Sequence, residues 1–328
     1  MRFLIIGGTR FVGRHIAESA LERGHEVTVF HRGQTGADAL PDATHVLGDR
    51  DHDLDRLAEG TWDVTVDACA YVPRQVDELA EALGGRGGRH VFISTVSVYD
   101  EPLPPNSDED APLATLDDPD TEVVDEHTYG GLKVLCERAV HRHHSDALVI
   151  RPTYVVGPHD YTHRFTYWIE RIADGGRVLV PAVQDYGIQF IDARDQARWV
   201  CELVERSEPG TFHTVSPTPP FTFADMVQTI VDAVAPDGTS IEWVDPAFLL
   251  ENEVDDSALP LWVPTTDPDP GMACDPSHAR AHGLTTRTLT DTVRETLEHE
   301  RRTPTPNPGG TGWSREAEAQ MLAAWVAR

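Results

Sequence analysis

Short apolar runs alternate with amphipathic stretches along the first 150 residues of the chain. The apolar runs are rich in Val and Ile, and they predict strands at RFLIIGG, EVTVFH, THVLG, DVTVDA, HVFIST and ALVIRP. The amphipathic stretches predict helices at FVGRHIAESALERG, PRQVDELAEAL and TYGGLKVLCERAVHRH. Strands that alternate with helices and are rich in Val and Ile indicate an α/β fold with a doubly wound parallel sheet, the Rossmann arrangement.

The pattern changes after Arg151, where Pro, Asp and Trp become frequent. Pro-rich stretches at 216–220 and 264–270 predict loops, and the turn formers of 302–312 predict a linker. Ser314 then stands where it would cap a last amphipathic helix.

These changes divide the chain into two regions. A dinucleotide-binding Rossmann domain is predicted at 1–153, together with about 188–215. A smaller, C-terminal substrate-binding region is predicted at 154–187 and 216–328, and it includes the last helix. The acidic, Pro-rich segment 100–126 interrupts the first region. A loop this long inside a compact domain is usually a lid or disordered, and we interpret it so.

The chain of 328 residues carries 55 acidic and 27 basic side chains, a formal net charge of -28. Such a surface repels phosphate backbones and anionic lipid, which argues against nucleic acid and membrane partners. We interpret the negative charge as a feature that keeps the protein soluble, including in a salty cytoplasm. Four scattered cysteines without a CxxC pair favour reduced thiols over disulfides or a zinc site. With no signal peptide or membrane-length apolar run, we expect a cytoplasmic monomer or homodimer that acts on a small molecule.

A glycine-rich turn follows the first predicted strand, with Gly7, Gly8 and Gly13 in GGTRFVG. Glycines there let a pyrophosphate approach the N-terminus of the next helix, although a tight turn without a ligand would use the same residues. An NAD enzyme places an acid at the end of the second strand. This chain has His31 and Arg32 instead. Arg32 favours NADP, with NAD still possible, unless it is one more surface arginine.

Lys133 is the only lysine in the chain, and it lies four residues after Tyr129 on a predicted helix. Residues four apart share a helix face. A nearby ammonium favours the phenolate form of a tyrosine, and its flexible stem suits this task better than the rigid fork of arginine. Upstream, Ser94, Thr95 and Ser97 end a predicted strand, where a hydroxyl group can bind a substrate carbonyl.

Five segments in this order, GGTRFVG, STVSVY, TYGGLK, IRPTYVVGP and QFIDARD, resemble the extended short-chain dehydrogenase/reductases, the NAD-dependent epimerase/dehydratase family. The resemblance covers about residues 1 to 215. It implies that Thr95, Tyr129 and Lys133 form a catalytic triad with Tyr129 as the general acid and base. Together with the residues above, it implies cofactor contacts at Gly7, Thr9, Arg10, Phe11, Val12, Gly13, His31, Arg32, Asp49, Arg50, Ala68, Cys69, Ala70, Tyr129, Lys133, Pro152 and Thr153.

The chain departs from the family's patterns at four places. Arg10 replaces the middle glycine of the turn, where it could reach cofactor phosphates. Thr95-Val96-Ser97 replaces the Thr-Asp-Glu of the sugar-nucleotide dehydratases, so the acid and base for water elimination are missing. Tyr154 and Ile188 occupy positions where sugar-nucleotide epimerases tend to have diphosphate-binding Asn and Arg. These two losses argue against a nucleotide-sugar substrate.

The sequence therefore predicts an NADP-preferring oxidoreductase that transfers a hydride to or from a non-nucleotide small molecule. Two alternatives remain open: an epimerase that works by transient oxidation, and a non-catalytic dinucleotide-binding or RNA-associated protein. The run HRHHS at 141–145 is predicted to end a helix and to bind no metal. Substrate contacts are predicted at Ser97, Tyr154 and Tyr186. Tyr161, His163 and Trp262 are equally typical of a pocket and of a core.

Overall fold

The computed structural model describes residues 1–36, 38–265 and 273–328. Its contacts separate two compact units. Unit 1 comprises Met1–Val155, Phe190–Ser216 and Cys274–Thr286. Unit 2 comprises Val156–Gln189, Pro217–Ala273 and Arg287–Arg328. The segment Cys274–Thr286, which the sequence-based division put in the substrate-binding region, belongs to unit 1. Most of the loop predicted at 264–270 lies outside the described residues.

Eleven strands and ten helices form within the described residues. The strands are β1 (Arg2–Ile6), β2 (Glu26–His31), β3 (Thr44–Leu47), β4 (Val64–Asp67), β5 (Arg89–Ile93), β6 (Leu148–Pro152), β7 (Tyr154–Val156), β8 (Arg177–Pro181), β9 (Phe190–Asp192), β10 (Gly210–Thr214) and β11 (Ser240–Val244). The helices are α1 (Phe11–Glu22), α2 (Pro73–Leu83), α3 (Tyr129–His143), α4 (Arg164–Ala173), α5 (Ala193–Glu205), α6 (Phe223–Val234), α7 (Pro246–Glu251), α8 (Ser277–Ala281), α9 (Leu289–Arg302) and α10 (Arg315–Val326).

Unit 1 is built on a seven-stranded sheet in the order β10-β6-β5-β4-β1-β2-β3. Every neighbouring pair in it is parallel. The chain runs from β1 outward to β3 and then crosses back to β4 on the other side of β1. The strand order therefore reverses between β1 and β4, and in such sheets the crevice at the carboxyl ends of these strands is where ligands bind. The predicted doubly wound parallel sheet is confirmed.

Side chains of the central strand alternate between the two faces of the sheet. Phe3 and Ile5 join a buried cluster with residues of α1 and α5. Leu4 and Ile6 point the opposite way, into a cluster that includes Leu79 of α2. Because both faces are covered by helices, the central strands are mostly apolar, which is why they appear in the sequence as runs rich in Val and Ile.

The acidic segment 100–126 is held against unit 1 at several points, whereas the sequence suggested a lid or a disordered segment. Leu113 forms an antiparallel bridge with Tyr99. The Glu109 carboxylate accepts a hydrogen bond from the His213 amide at 2.8 Å. Near its end, Glu122 accepts two hydrogen bonds from the guanidinium of Arg74, at 2.8 and 3.0 Å. Through these contacts the segment packs against the surface of unit 1.

Unit 2 combines a helical cluster with a short parallel sheet of β8 and β11. Helices α4, α6 and α9 pack together, and the rings of Trp168 and Phe223 meet edge to face at 5.7 Å. The predicted cap of the last helix is present, since the Ser314 hydroxyl accepts the Ala317 amide at 3.2 Å. Within the described part of the chain, no helix is long and apolar enough to cross a membrane.

A buried ion pair attaches α10 to the rest of unit 2. Glu318 of α10 is 2% exposed. One of its carboxylate oxygens accepts from Nε of Arg171 in α4, and the other accepts the amide of Leu179 in β8 at 2.9 Å. Arg171 is itself buried. The last helix is therefore an integral part of this unit.

We expect Glu318→Ala to lower the free energy of unfolding by about 3–5 kcal/mol, because it leaves a buried guanidinium without its carboxylate. Glu316→Ala is the control, since Glu316 lies on the same helix but is exposed. Its cost should be about 1 kcal/mol or less. Urea denaturation followed by circular dichroism measures both values, and equal costs would contradict the structural role of Glu318.

Candidate active site

The glycine turn joins β1 to α1 through a very close backbone approach. Gly7 has a φ of +83°, a conformation that L side chains rarely adopt. A Cβ atom on Gly13 would lie 2.4 Å from the Gly7 carbonyl oxygen, so only glycine lets the first turn of α1 approach the strand end. Thr9, Phe11 and Val12 complete the turn. The result is an open helix N-terminus of the kind that binds phosphate groups.

Two arginines are exposed around this turn. Arg10 takes the N-cap position of α1, in extended backbone conformation. Arg32 follows directly after β2, and among the described residues its guanidinium has no hydrogen-bond or ion-pair partner. His31, by contrast, is buried, and its ring bonds to His45 at 2.9 Å. Of these predicted cofactor contacts, Arg32 is thus available at the surface while the His31 ring is held inside the fold.

A buried ion pair stiffens the end of β4. The Arg50 guanidinium donates to both carboxylate oxygens of Asp67, at 2.8 and 3.0 Å, and to the carbonyl of Gln75 at 2.9 Å. Burial, the largest single influence, would raise the pKa of Asp67, but the charge and hydrogen bonds of Arg50 together with His90 and the Cys69 amide keep that pKa below its usual value. Asp67 also accepts the Cys69 amide at 3.1 Å. These bonds hold the backbone from Ala68 to Ala70 in place. The Arg50 guanidinium is used for this structural contact.

Lys133 connects α3 to the ends of two strands. Its ammonium nitrogen Nζ donates to the carbonyl of Ala70 at 3.0 Å and to the carbonyl of Ile93 at 2.8 Å. The same atom lies 4.1 Å from the centre of the Phe92 ring. Lys133 is 3% exposed, and this burial lowers the pKa of its ammonium group. Two of the three N–H donors of the ammonium are used by these carbonyls, which leaves one for another partner.

Tyr129 is the first residue of α3 and is half-buried. The helix can start there because Gly130 follows. A Cβ atom on Gly130 would lie 2.1 Å from the carbonyl oxygen of Ser97. The absence of this side chain lets the first turn of α3 rest directly on the turn that follows β5. Tyr129 is thereby brought next to the segment that carries Thr95 and Ser97.

The three hydroxyl groups after β5 have different partners. Ser94 is buried and donates to the Glu137 carboxylate at 2.5 Å, away from the other two. The Thr95 hydroxyl donates to the Ser97 hydroxyl at 3.1 Å and accepts the Ser97 amide at 3.1 Å. Ser97 is exposed. Thr95 and Ser97 therefore form one small hydroxyl cluster, whereas Ser94 belongs to the core.

The remaining predicted contacts lie at other strand ends. Pro152 ends β6, and Thr153 follows it with a buried hydroxyl oxygen that has no hydrogen-bond partner among the described residues. Asp49 is half-buried, and its carboxylate accepts the Asp51 amide at 3.1 Å. Tyr154 is half-buried in unit 1. The Thr153 hydroxyl can therefore still donate or accept a hydrogen bond.

The predicted residues of unit 2 fall into two groups. Tyr186 and Tyr161 are half-buried, whereas His163 and Trp262 are buried. His163 bonds to the Thr305 carbonyl at 2.9 Å. These two buried side chains are core residues of unit 2.

Tyr71 was missed by the sequence-based reasoning. The residue is 41% exposed, and the centre of its ring lies 5.7 Å from Nζ of Lys133. The Tyr71 and Tyr129 rings have centroids 6.3 Å apart. Its position directly after Ala70, at the carboxyl end of β4, was the available signal, because neighbouring parallel strands end at the same edge.

The family comparison matches these features. Residues 3–72 and 59–214 match the model described as the NAD dependent epimerase/dehydratase family. These segments cover more than half of the chain. The predicted resemblance to this family of NAD-dependent enzymes is confirmed.

Two relatives are similar in sequence. The chloroplast stem-loop binding protein of 41 kDa b from Arabidopsis thaliana is 28% identical over 207 residues, which cover 58% of this chain and 50% of that protein. The chain thus spans about half the length of this relative. A probable low-salt glycan biosynthesis reductase from Haloferax volcanii is 24% identical over 266 residues, 74% of this chain and 83% of that protein.

Solved structures share the fold. The Bordetella bronchiseptica enzyme WbmH in complex with NAD+ superposes with a TM-score of 0.70 at 20% identity, covering 92% of this chain and 99% of that one. The UDP-glucose 4-epimerase of Thermotoga maritima with UDP-glucose gives a TM-score of 0.70 at 18% identity, with the same coverage. At these identities the likeness supports the fold alone.

Substitution of the two adjacent glycines of α3 tests how Tyr129 is positioned. Gly130→Ala forces a Cβ atom against the Ser97 backbone, so we expect a loss of about 1–3 kcal/mol in stability and a displaced first turn. Gly131→Ala is the matched control, since its Cβ would meet only the Leu116 side chain, at 2.5 Å, and a side chain can move aside. Thermal melts of the two variants compare the effects. A Gly130→Ala variant as stable as Gly131→Ala would contradict the close packing.

Proposed function

We propose that this chain, which belongs to the NAD dependent epimerase/dehydratase family, is an NADP-preferring oxidoreductase. Its substrate is a non-nucleotide small molecule with a carbonyl or alcohol group. The main observation in favour is that Tyr129 and Lys133, on one helix, meet the strand ends that carry Ala70, Ile93 and Thr95.

The residues at these strand ends fit a nicotinamide dinucleotide. Gly7 and Gly13 let the N-terminus of α1 pack closely against the end of β1, and a helix N-terminus in that position can bind a pyrophosphate. Lys133 keeps one N–H donor for a ribose hydroxyl. The buried hydroxyl of Thr153 offers a further polar contact. Exposed Arg32 supplies a positive charge where a 2′-phosphate distinguishes NADP from NAD.

A bound dinucleotide would supply the hydride acceptor or donor, and the side chains of this chain would handle the proton. Tyr129 would exchange a proton with the substrate oxygen. The Thr95–Ser97 hydroxyl cluster would hold that oxygen by hydrogen bonds. The buried ammonium of Lys133 would be the positive charge that assists this proton transfer, because a positive charge stabilises a nearby anion most where water is excluded.

Two positions argue against a nucleotide-sugar substrate. Ile188 stands where related epimerases tend to have an arginine, and it is fully buried with its amide bonded to the Phe221 carbonyl at 3.1 Å. Tyr154 stands where they tend to have an asparagine. Neither provides a positive charge for a diphosphate. A water-eliminating dehydratase is also disfavoured, because Val96 and Ser97 supply no carboxylate.

An epimerase that oxidises and re-reduces its substrate within one turnover is the second candidate. It would use the same tyrosine, lysine and hydroxyl groups, and the fold neighbours include a UDP-glucose 4-epimerase. Net formation of NADPH or NADP+ during turnover distinguishes the two, because an epimerase regenerates its cofactor.

An RNA-associated role is a third candidate, suggested by the Arabidopsis stem-loop binding relative. The formal net charge of -28 opposes it, since RNA binding depends on neutralising phosphates. The chain also keeps both Tyr129 and Lys133, which a non-catalytic scaffold does not need. Tight, salt-sensitive retention of RNA in a filter-binding assay would reverse this ranking.

The cofactor preference should depend on Arg32. We expect NADPH to bind more tightly than NADH, and Arg32→Ala to weaken NADPH binding about 10- to 100-fold, the value of one charge-assisted contact. Arg138→Ala is the control, because it removes an equal charge from an exposed position on α3. Isothermal titration calorimetry gives the dissociation constants. Equal constants for NADPH and NADH in the wild type would refute the preference.

The lone lysine should be irreplaceable. We expect Lys133→Arg to lose most activity, since a wide, planar guanidinium cannot reproduce the two carbonyl contacts and keep a free donor in the same buried space. Tyr129→Phe should lower kcat about 10²- to 10⁴-fold by removing the proton donor. Steady-state kinetics on any accepted aldehyde or ketone measures both. Near wild-type turnover by Lys133→Arg would overturn the assigned triad.

A further inference from the structure

The described residues contain a hydrogen-bonded pair of histidines, buried His31 and half-buried His45, that the proposed reaction does not use. Nε2 of His31, at the end of β2, lies 2.9 Å from Nδ1 of His45 in β3. Nδ1 of His31 accepts the Gly33 amide at 3.1 Å. Nε2 of His45 lies 2.9 Å from the carbonyl oxygen of Leu40. The two rings therefore form a chain of three hydrogen bonds from Leu40 to Gly33, which we name the histidine relay.

The partners at its ends fix every proton in the histidine relay. A carbonyl oxygen only accepts, so Nε2 of His45 carries a proton and donates to Leu40. A backbone amide only donates, so Nδ1 of His31 is unprotonated. The proton of the central bond then belongs to Nε2 of His31, because Nδ1 of His45 is the remaining acceptor. Both rings are neutral, and this is the one arrangement that satisfies all three bonds.

The histidine relay spans the loop that presents Arg32. Leu40, at one end, is anchored in the core beside α1. Gly33, at the other end, has a φ of +73° that turns its amide back toward His31. Arg32 lies between His31 and Gly33, so the backbone on either side of it is fixed. Further along, a Cβ on Gly36 would lie 2.5 Å from the Thr9 carbonyl oxygen, which places the loop against the glycine turn.

We propose that His45 is a positioning residue for coenzyme discrimination, because through His31 it holds the turn that presents Arg32 to the 2′-phosphate of NADP. This inference rests on the proposed function, in which Arg32 makes that contact. His45 itself touches neither the cofactor nor the substrate; it acts as the acceptor that fixes the ring of His31. Losing that acceptor frees the His31 ring and with it the Gly33 amide.

Burial supports the neutral arrangement. Burial first, and the neighbouring His45 ring second, lower the pKa of His31. In the sheet the backbone neighbours of this strand end are uncharged, Ile6 and Gly7 beside Phe30 on one side, and Leu47 and Gly48 beside His31 on the other. The neutral form that the histidine relay requires is therefore favoured by its surroundings.

Two substitutions at position 45 separate hydrogen bonding from ring shape. His45→Phe keeps an aromatic ring but removes the acceptor. His45→Asn removes the ring but keeps an oxygen near the position of Nδ1, which can accept from His31. Dissociation constants for NADP+ and NAD+ are measured by isothermal titration calorimetry at about pH 8, where histidine is neutral. Arg32→Ala is measured in parallel.

We expect His45→Phe to weaken NADP+ binding about three- to tenfold, the effect of one hydrogen bond, and to leave NAD+ binding nearly unchanged. His45→Asn should restore most of the NADP+ affinity. Equal weakening of both cofactors, or no rescue by asparagine, would overturn the inference. If Arg32→Ala weakens NADP+ binding but His45→Phe does not, the inference fails and the proposed function stands. If Arg32→Ala has no effect, the proposed NADP preference fails and this inference falls with it.

A measurement on the wild-type protein covers the case in which His45→Phe does not fold. Nitrogen-15 NMR of the imidazole groups reports which ring nitrogen carries the proton. The histidine relay requires the Nε2–H tautomer for both His31 and His45. An Nδ1–H tautomer at either ring would overturn it.

Discussion

Parallel pairing places the carboxyl end of every strand of the unit 1 sheet at the same edge. The glycine turn follows β1, Arg32 follows β2, and Tyr71 and Thr95 lie just beyond β4 and β5. Residues far apart in sequence meet there because a parallel strand can be reached only by a crossover that returns the chain to the opposite edge. The candidate active site therefore depends on the register of this sheet.

The buried arginine and lysine side chains among the described residues fall into two kinds. Arg50, Arg151 and Arg171 each bond to a buried carboxylate, of Asp67, Glu137 and Glu318 respectively. The planar guanidinium group of arginine has fixed donors that match the two oxygens of a carboxylate. Arginine is therefore suited to the buried ion pairs. The ammonium of Lys133 bonds to two carbonyls from different strands. This difference in partner gives a physical reason why a chain that otherwise uses arginine has a lysine here.

Some of the acidic surface has a structural use. Glu109 accepts the His213 amide, and Arg151 donates to the Glu109 carbonyl at 2.9 Å. Glu122 is held by Arg74 on α2. The long acidic segment is therefore joined to β6, β10 and α2, and Leu116 within it fills the space beside Gly131. A segment with little secondary structure is ordered here by contacts with distant parts of the chain.

The sequence by itself determined six of the seven strands of the unit 1 sheet and the helices α1, α2 and α3, but not β10 or α5. Strands apolar on both faces, the amphipathic periods of α1 and α2, and the positions of Gly7 and Gly13 follow from local chemistry, which a sequence displays directly. It also identified Tyr129 and Lys133, because four residues on a helix is a local relation. Only the tertiary structure decided which groups face one another across strands. It separated Ser94 from Thr95, brought Tyr71 beside Lys133, engaged Arg50 with Asp67 and joined His31 to His45. Such pairings depend on sheet register and on burial, which are set by contacts between residues distant in sequence and leave no periodic signal along the chain.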